Sequence, residues 1–336
     1  MKLENKLLSR AFSHIYIEEE AKNYEMTKRI LEKFENSKKI YIDNYKEIFS
    51  RNNQNFILQK QTPKLILAIK RDNFLYKGAK VCESFGNSNF YYISSVLNCI
   101  YDCEYCYLQG VYSSANIVIF VNIEDMFEEV KEEMRKIDDM YICISYDTDL
   151  LAMENILGMA SKWYNFIKEH KNIKIELRTK SSNIKSLKNL EPNSNYIVAW
   201  TFSPDEIINS FENKTSRLNM RIKALQELTE IGFTVRICFD PVIKVKNFEK
   251  IYGEMIEKVF EKISGEKILD VSIGTFRISK DYIKRMKKNR GNSKLLYYPF
   301  ICKNGVYSYS DKDIEDMIKF MKNKVLEYVK KEKIFI

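Results

Sequence analysis

Apolar and polar residues alternate from Asn89 onward in a pattern that switches repeatedly between strand spacing and helix spacing. Helical spacing follows most of the apolar runs, as in Leu150–Lys168 and Arg217–Glu230. The predicted strands are Phe90–Leu97, Met140–Tyr146, Ile173–Arg178, Tyr196–Phe202, Thr234–Phe239 and Leu269–Ile273. About six β-α units in a row favour parallel strands that are joined by right-handed crossovers.

About six units are fewer than the eight that close a TIM barrel. We therefore predict an α/β fold with a partial (β/α)6 TIM-like barrel over residues 86–336, and an open doubly wound sheet as the alternative. A further apolar run, Ile117–Val121, leads into the charged amphipathic helix Asp125–Ile137. Both segments are assigned to the same barrel domain.

The residues before this alternation are predicted to form an N-terminal α/β extension, residues 1–85. Helical spacing covers Glu18–Asn36 and the short segment Tyr45–Phe49, and apolar runs typical of strands lie at Ile40–Ile42 and Leu65–Ile69. No low-complexity linker separates this extension from the barrel. A small α/β layer in front of the main domain is therefore expected.

The C-terminal part of the chain is predicted to be a hairpin followed by a helix. Asn304-Gly305 is a strong hairpin turn signal, and tyrosines flank it on both sides. The last helix, Asp313–Lys331, alternates apolar residues with Lys and Glu.

Charge adds a candidate partner to this picture. The chain of 336 residues is 45% apolar, which allows a large core, and it carries a formal net charge of +9. Between Arg277 and Lys294, eight Lys and Arg residues stand against one acid, Asp281. Such a run is either a solvated helix face or a contact for a polyanion such as DNA.

The composition also bears on location. No apolar run reaches the roughly 18–20 residues that span a bilayer, so no membrane association is expected. The segment Met1–Ala21 lacks the apolar stretch of a secretory signal. The seven unequally spaced cysteines make a poor disulfide framework, which favours a reduced, cytoplasmic protein.

The strongest chemical signal is a cluster of cysteines after the first predicted barrel strand. Cys99, Cys103 and Cys106 are separated by three and then two residues. Three close thiolates suit a soft metal centre and leave one metal position open for a substrate or cofactor. A zinc site would need a fourth ligand from His14, His170, Cys82 or Cys302, none of which has a paired spacing. The spacing favours an iron–sulfur cluster over structural zinc.

This spacing, with the aromatic Tyr105 just before the last cysteine, resembles the cluster loop of the radical S-adenosylmethionine (SAM) superfamily. The resemblance implies a 4Fe-4S cluster whose fourth iron binds SAM, and cleavage of SAM to a 5′-deoxyadenosyl radical. It also implies a partial (β/α)6 barrel, in agreement with the independent count of strands.

Longer runs resemble the clostridial branch of one family, the spore photoproduct lyases. These runs are Tyr105–Gly110, Ala115–Glu124, Thr179-Lys180 and Phe211–Ser216. The resemblance implies a DNA-repair lyase that reverses the methylene-bridged thymine dimer called spore photoproduct to two thymines. Its partners would be double-stranded DNA carrying that lesion and an unidentified electron donor of the ferredoxin or flavodoxin type.

The resemblance also assigns roles to residues at matching positions. Cys143 would donate a hydrogen atom to the product radical, and Tyr105 and Tyr107 would relay hydrogen between 5′-deoxyadenosine and Cys143 so that SAM is regenerated. The residues expected to contact SAM are Tyr105, Ser145, Lys180, Thr201 and Ser203. The residues expected to contact DNA, from the basic run and the hairpin, are Arg285, Lys288, Arg290, Lys303 and Tyr307.

Two departures from related patterns stand out. The Gly-Gly-Glu stretch found after the second strand of many radical SAM enzymes is replaced by Ser145–Asp149. The Gly-Arg-Tyr-Gly run of the bacillus branch is replaced by Cys302–Gly305, so Lys303 or Arg290 would have to take the place of its arginine. Two alternatives therefore stay open: a radical SAM enzyme of this family with another nucleic-acid substrate, and a non-catalytic zinc protein that binds nucleic acid.

Metal content separates the cluster from zinc. We expect anaerobically purified protein to be brown and to contain about four iron atoms per chain. Iron and zinc analysis of the purified protein checks this expectation. Colourless protein with about one zinc ion per chain would reject the cluster.

Overall fold

The computed structural model of the protein describes residues 12–79 and 82–336. Residues 1–11 lie outside the described residues. They include the start of the predicted extension and the first part of the segment inspected for a secretory signal. Residues 80 and 81, next to the predicted domain boundary, also lie outside the described residues. None of the helices in the described part of the chain combines the length and the apolar character required to cross a bilayer.

Short strands and amphipathic helices alternate through the described residues. The strands are β1 His14–Glu18, β2 Lys38–Ile42, β3 Leu65–Ala68, β4 Leu75–Lys77, β5 Phe90–Ile93, β6 Val96–Leu97, β7 Asp102–Cys103, β8 Ile117–Phe120, β9 Met140–Cys143, β10 Ile173–Thr179, β11 Tyr196–Thr201, β12 Glu212–Asn213, β13 Thr234–Val242, β14 Val271–Thr275, β15 Arg277–Ser279, β16 Ile301–Lys303, β17 Val306–Ser308 and β18 Ile334–Phe335. The helices are α1 Glu25–Lys33, α2 Lys46–Phe49, α3 Phe56–Gln61, α4 Leu108–Val111, α5 Ile123–Met134, α6 Glu154–Leu157, α7 Met159–Glu169, α8 Asp205–Phe211, α9 Leu218–Ile231, α10 Phe248–Phe260, α11 Lys280–Asn289 and α12 Asp311–Leu326.

The larger sheet confirms the predicted partial barrel. Six parallel strands, β5, β9, β10, β11, β13 and β14, lie side by side in the order in which they occur in the chain. A doubly wound sheet would reverse this order at its centre, so the alternative fold is wrong. The antiparallel strand β4 extends one edge, and the short C-terminal strand β18 pairs in parallel with β14 at the other.

The smaller sheet has the order β2-β1-β3-β8-β6 and draws on both sides of the predicted domain boundary. The apolar run that we assigned to the barrel forms β8, which pairs in parallel with β3. The predicted strand Phe90–Leu97 is two strands, since β5 joins the barrel and β6 joins β8. Ser94 and Ser95 separate them: the Ser94 hydroxyl bonds to Asp147, and the Ser95 carbonyl accepts from Phe120. The division at residue 85 stays a prediction.

The predicted helix Glu18–Asn36 begins too early. Glu18 is the last residue of β1, and its fully buried carboxylate accepts hydrogen bonds from the backbone amides of Tyr45 and Ile69 at 2.7 and 2.9 Å. These bonds tie Glu18 to the ends of the neighbouring elements. The helix α1 starts only at Glu25.

The predicted helix Leu150–Lys168 is interrupted near its middle. Gly158 lies in the left-handed region with φ of 62°, which ends α6 and precedes α7. The buried Glu154 carboxylate accepts from the backbone amides of Ala160 and Ser161 at 2.8 and 3.0 Å. It thereby caps the first turn of α7.

The C-terminal hairpin is confirmed. β16 and β17 pair antiparallel, and both turn residues, Asn304 and Gly305, have positive φ. β15 adds a third strand on the other side of β17, so the basic segment and the hairpin are joined in one small sheet. The predicted final helix is α12. The Ser310 hydroxyl caps it by accepting a hydrogen bond from the backbone amide of Asp313.

Candidate active site

The cysteine loop lies between β6 and α4 and is fixed at its first residue. Asn98, directly before Cys99, has a positive φ of 69° and is completely buried. Its side-chain amide donates to the carbonyl oxygens of Ser114 and Asn116, both at 2.8 Å. The entry to the loop is therefore tied to the segment that follows it in the chain.

A distant segment holds the middle of the loop. β12 pairs antiparallel with β7, which places Glu212 opposite Cys103 and Asn213 opposite Asp102. The backbone amide of Glu104 also donates to the carbonyl of Phe211 at 2.7 Å. The run Phe211–Ser216, which resembles the family, is therefore a clamp on the cluster loop.

A buried ion pair anchors this clamp. Glu212 and Arg221 are both fully buried and bonded to each other. The Arg221 guanidinium also donates to the carbonyl oxygens of Thr201 and Ser216 at 2.9 and 2.8 Å. Burial would raise the pKa of Glu212, but the positive charges of Arg221 and Lys180 outweigh it and hold that pKa at about 2. Glu212 is therefore a permanent anion behind the loop.

Two of the predicted cofactor residues belong to this anchor. The Tyr105 hydroxyl bonds to the Glu212 carboxylate, and the Ser203 hydroxyl donates to the same oxygen at 2.7 Å. The Lys180 ammonium lies over the Tyr105 ring, 5.5 Å from its centroid. The structure thus brings Tyr105, Lys180 and Ser203 together beside the cysteine loop.

A buried lysine on α3 also supports the cysteine loop. Lys60, on α3, is only 7% exposed. Its ammonium donates to the carbonyl oxygens of Cys99 and Tyr101 at 2.6 and 2.7 Å. The Lys214 ammonium in turn bonds to the Lys60 carbonyl, which links α3 to the clamp.

Burial raises the pKa of all three thiols in the loop. The pKa of Cys99 rises to about 12, with Asp149 adding to the effect and Lys60 opposing it. The pKa of Cys103 lies well above its usual value, and the pKa of Cys106 is also raised. Nearby lysines oppose both shifts. Such thiols keep their protons until a metal displaces them.

This donor set fits a cluster. It offers three thiols from one loop, with the cations Lys60 and Lys180 near them to balance thiolate charge. In the described residues, no three side chains of His, Cys, Asp or Glu converge closely enough to hold a single metal ion.

Tyr107 connects the cysteine loop to the end of the second barrel strand. Its hydroxyl lies 2.9 Å from both the Tyr146 carbonyl oxygen and the Asp147 carboxylate. Asp147 is buried and also accepts from Tyr112 at 3.2 Å. Burial raises the pKa of Asp147, although these hydroxyls oppose the shift.

Cys143 is the last residue of β9, where the carboxyl ends of the barrel strands meet. It is buried, and it pairs across the sheet with Tyr92 on β5 and Glu176 on β10. Its Sγ lies 4.0 Å from Oε1 of Glu176. Burial and the Glu176 charge raise the pKa of the thiol to about 12.

The remaining candidates for SAM contacts sit at neighbouring strand ends. The Ser145 hydroxyl donates to the Arg178 carbonyl at 2.9 Å and accepts from the Arg178 amide at 2.7 Å. Thr201 ends β11, and its carbonyl is bound by Arg221. Their roles toward SAM stay predictions.

The predicted DNA-contacting residues differ in what they do in the protein. Lys288 is exposed on α11, and Lys303 is exposed but paired with Asp311. Tyr307 is partly buried in β17. Lys288, Lys303 and Tyr307 keep a DNA role as a prediction only.

Two arginines of the basic run contact the cysteine loop and the helix after it. Arg290 is bonded to Asp102 in the loop and donates to the Gln109 side chain at 2.8 Å, and Arg285 donates to the Val111 carbonyl at 2.7 Å. The helices α4 and α11 also touch closely. A Cβ atom on Gly110 would lie 2.7 Å from the Cα atom of Tyr282. Because these arginines already have protein partners, their predicted contacts with DNA would have to be made alongside these bonds.

Sequence reasoning missed several residues of the site. Lys60 gave no signal, because a lysine on a short helix reads as a surface residue. Glu212 lies within a run that we singled out, but its partner Arg221 and the pairing of β12 with β7 are long-range features. Glu176 alternates with apolar residues along β10, a pattern that predicts a solvated face rather than a buried charge.

Three cysteines at the mouth of a six-stranded parallel partial barrel define a radical SAM enzyme. The model of the spore photoproduct lyase family matches residues 11–335, and the chain belongs to that family. It is 25% identical over 340 residues to a spore photoproduct lyase of Clostridium acetobutylicum, covering 96% of this chain and 98% of the relative. It is 21% identical over 290 residues to one of Bacillus subtilis, covering 84% and 83%.

Solved structures share the fold. A mutant spore photoproduct lyase with bound AdoMet and dinucleoside spore photoproduct matches with a TM-score of 0.84 at 17% identity, covering 97% of this chain and 98% of that one. A spore photoproduct lyase complexed with dinucleoside spore photoproduct matches with a TM-score of 0.82 over the same shares. At this identity the match establishes the fold alone, and it agrees with the barrel described above.

The Glu212–Arg221 pair yields a prediction about stability. Replacing Arg221 with Met leaves a buried carboxylate without its partner, so we expect a loss of about 3–5 kcal/mol in the free energy of unfolding. Guanidinium denaturation of the apo protein measures this loss. Lys223→Met on the same helix, where the lysine side chain is 71% exposed, is the matched control and should show no measurable change. Equal stabilities of the two variants would contradict the anchoring role.

Proposed function

We propose that the protein is a radical SAM lyase that reverses spore photoproduct in DNA to two thymines. The observation that carries the proposal is a buried thiol, Cys143, at the carboxyl end of a barrel strand. Tyr107 of the cysteine loop bonds to residues just beyond it in the chain. Relatives that share the whole fold are solved with AdoMet and with the dinucleoside lesion.

The cofactors implied are a 4Fe-4S cluster and SAM. Cys99, Cys103 and Cys106 would hold the cluster, and Lys180 would place its charge near the SAM carboxylate. Ser145, Thr201 and Ser203 are assigned to SAM by resemblance. When bound, these groups supply the carbon radical that takes a hydrogen atom from the lesion.

Cys143 then acts on the substrate. After the methylene bridge fragments, one thymine carries a carbon radical. The S–H bond of Cys143 breaks and a C–H bond forms on that thymine, which leaves a thiyl radical on the protein. No proton or further electron is needed for this step, because a whole hydrogen atom moves.

A tyrosine is proposed to give its phenolic hydrogen atom to the thiyl radical on Cys143 and to take a hydrogen atom from the 5′-deoxyadenosine that SAM cleavage leaves, so that the thiol is restored and the cycle consumes no net electrons. Tyr105 and Tyr107 both lie on the cysteine loop, but their surroundings differ. Tyr105 is bonded to the permanent anion Glu212, whereas Tyr107 bonds next to the end of the strand that carries Cys143. Tyr107 is therefore the better candidate to exchange hydrogen with Cys143, and Tyr105 to border SAM.

DNA is proposed to approach over α11 and the hairpin. Double-stranded DNA must release the dimer from its stack before the barrel mouth can enclose it. The outward lysines of α11 would neutralise phosphates, and the hairpin residues Lys303 and Tyr307 would border the gap. Arg285 and Arg290 would add charge from the side that holds the cysteine loop.

The setting proposed is the cytoplasm. The seven cysteines are all free, which suits a reducing compartment. The cluster also needs a one-electron donor, which we propose to be of the ferredoxin or flavodoxin type.

A second candidate is a radical SAM enzyme of this family with another nucleic-acid substrate. The observation that favours it is the stretch Cys302–Gly305, which lacks an arginine where the bacillus branch carries one. Lys303 in that stretch is paired with Asp311.

The direct experiment offers the reconstituted protein SAM, a reductant and ultraviolet-irradiated dry DNA. Recovery of thymine from spore photoproduct is expected, with DNA carrying cyclobutane thymine dimers as the control substrate that should stay unrepaired. Cleavage of SAM without any loss of spore photoproduct would favour the second candidate.

The cluster ligands give a second prediction. Changing Cys99, Cys103 or Cys106 to Ala should abolish reductive cleavage of SAM, because each removes a ligand of the cluster. Release of 5′-deoxyadenosine under dithionite measures this. The exposed Cys302→Ala is the control and should cleave SAM as the wild type does. Cleavage by a ligand variant at the wild-type rate would remove that cysteine from the cluster.

Cys143 gives a third prediction. The Cys143→Ala variant should still cleave SAM and consume the lesion, but the product radical should be quenched abnormally because its hydrogen donor is lost. Chromatography of the digested DNA measures the share of thymine among the products. Cys238→Ala, another buried thiol on a barrel strand, is the control. Clean thymine formation by Cys143→Ala would remove this residue from the mechanism.

A further inference from the structure

A buried carboxylate lies beside the thiol that is proposed to donate hydrogen. Glu176 stands opposite Cys143 in the pairing of β10 with β9, and both side chains are buried. The distance from Sγ to Oε1 is 4.0 Å. Glu176 itself is only 2% exposed, so the charge and the thiol share one water-poor environment.

The carboxylate is fixed in place by donors from three strands. Arg178 Nε donates to Oε1 at 2.9 Å, and Arg236 Nη1 and the Tyr141 hydroxyl donate to Oε2, both at 2.5 Å. Arg236 is in turn held by Asp270, with one bond at 2.8 Å. Its guanidinium carbon also lies 3.2 Å from the centre of the Phe85 ring. The oxygen nearest the thiol therefore has little freedom to move.

The same contacts keep Glu176 ionised. Burial alone would raise its pKa, but the charges of Arg178 and Arg236 outweigh this effect and hold the pKa of Glu176 at about 2. Its charge is therefore constant over any pH at which the protein works.

The charge of Glu176 acts on the thiol together with other groups that face it. Burial raises the pKa of Cys143 first, Glu176 raises it further, and Arg178 lowers it. The backbone amide of Ser145 also lowers it, and Cys82 raises it slightly. Without the carboxylate, the guanidinium group of Arg178 would be left to stabilise a thiolate.

The charge state decides whether Cys143 can act. A thiolate has no hydrogen atom to give, so only the protonated form can quench a carbon radical. The S–H bond rotates freely about Cβ–Sγ, so a hydrogen that points to Glu176 at rest can turn toward the substrate. A fixed anion on one side of the sulfur therefore protects the function without blocking it.

We propose that Glu176 is a positioning residue that keeps Cys143 protonated and thereby competent as a hydrogen-atom donor. This inference rests on the proposed function only for its consequence in repair. The alternative is a purely structural ion pair with Arg178 and Arg236. The two differ in whether the charge of Glu176 affects the chemistry of Cys143.

The test measures the protonation of Cys143 directly. The reconstituted holoenzyme is treated with iodoacetamide from about pH 7 to about pH 10, and alkylation of the Cys143 peptide is followed by mass spectrometry. At about pH 9 we expect Glu176→Gln to react at least about tenfold faster than the wild type, because one pKa unit changes the thiolate fraction about tenfold. Tyr141→Phe is the control, since it removes a bond to Glu176 but leaves its charge, and it should react as the wild type does.

A second readout follows the products. The share of abnormally quenched product should begin to rise at a pH about one unit lower in Glu176→Gln than in the wild type, because a thiolate cannot donate a hydrogen atom. Both values are taken per lesion consumed. A wild type that repairs no spore photoproduct would refute the proposed function, and the alkylation profile would still decide the role of Glu176.

Wild-type alkylation kinetics in folded Glu176→Gln would overturn the inference. If Glu176→Gln does not fold, Glu176→Asp decides, because the shorter side chain keeps a negative charge for Arg178 and Arg236 but draws the carboxylate away from Sγ. That variant should alkylate Cys143 faster than the wild type at about pH 9. Wild-type alkylation kinetics in Glu176→Asp would reject the role of Glu176.

Discussion

The buried ion pair between Glu212 and Arg221 is the constraint on which the site depends. A loop that carries three thiols has little regular structure of its own, and only two of its residues form a strand. The partner strand comes from more than a hundred residues later in the chain, and Arg221 holds that partner in place from α9. One pair of charges therefore joins the cluster loop, Tyr105 and the end of β11 into a single rigid unit.

Most of the barrel strands could be predicted because they are rich in apolar residues, typical of a parallel sheet that is covered on both faces. Apolar character does not show, however, to which of the two sheets a strand belongs. Ile117–Phe120 is as apolar as any barrel strand, yet it pairs with β3 in the smaller sheet. Apolar character reports burial, whereas the choice of neighbour depends on contacts between distant residues.

The candidate site, like the fold, could be predicted only in part. The cysteine spacing and Cys143 were visible as local patterns or through resemblance to a family. The charges that support them, Lys60, Glu176 and Arg221, were not, because a lone charged residue in a sequence is usually solvated. In this protein those charges are buried: Glu176 and Arg221 are ion-paired, and Lys60 donates to two backbone carbonyl oxygens of the cysteine loop.

The close approach of α4 and α11 has a consequence for which substitutions the basic helix can accept. Gly110 leaves no room for a side chain against Tyr282, and Arg285 and Arg290 reach from α11 to the residues around the cysteines. The inward face of the basic helix is thus fixed by its contacts with the cysteine loop and α4. The exposed residues of its outward face, such as Lys284 and Lys288, can change without disturbing the cysteine loop.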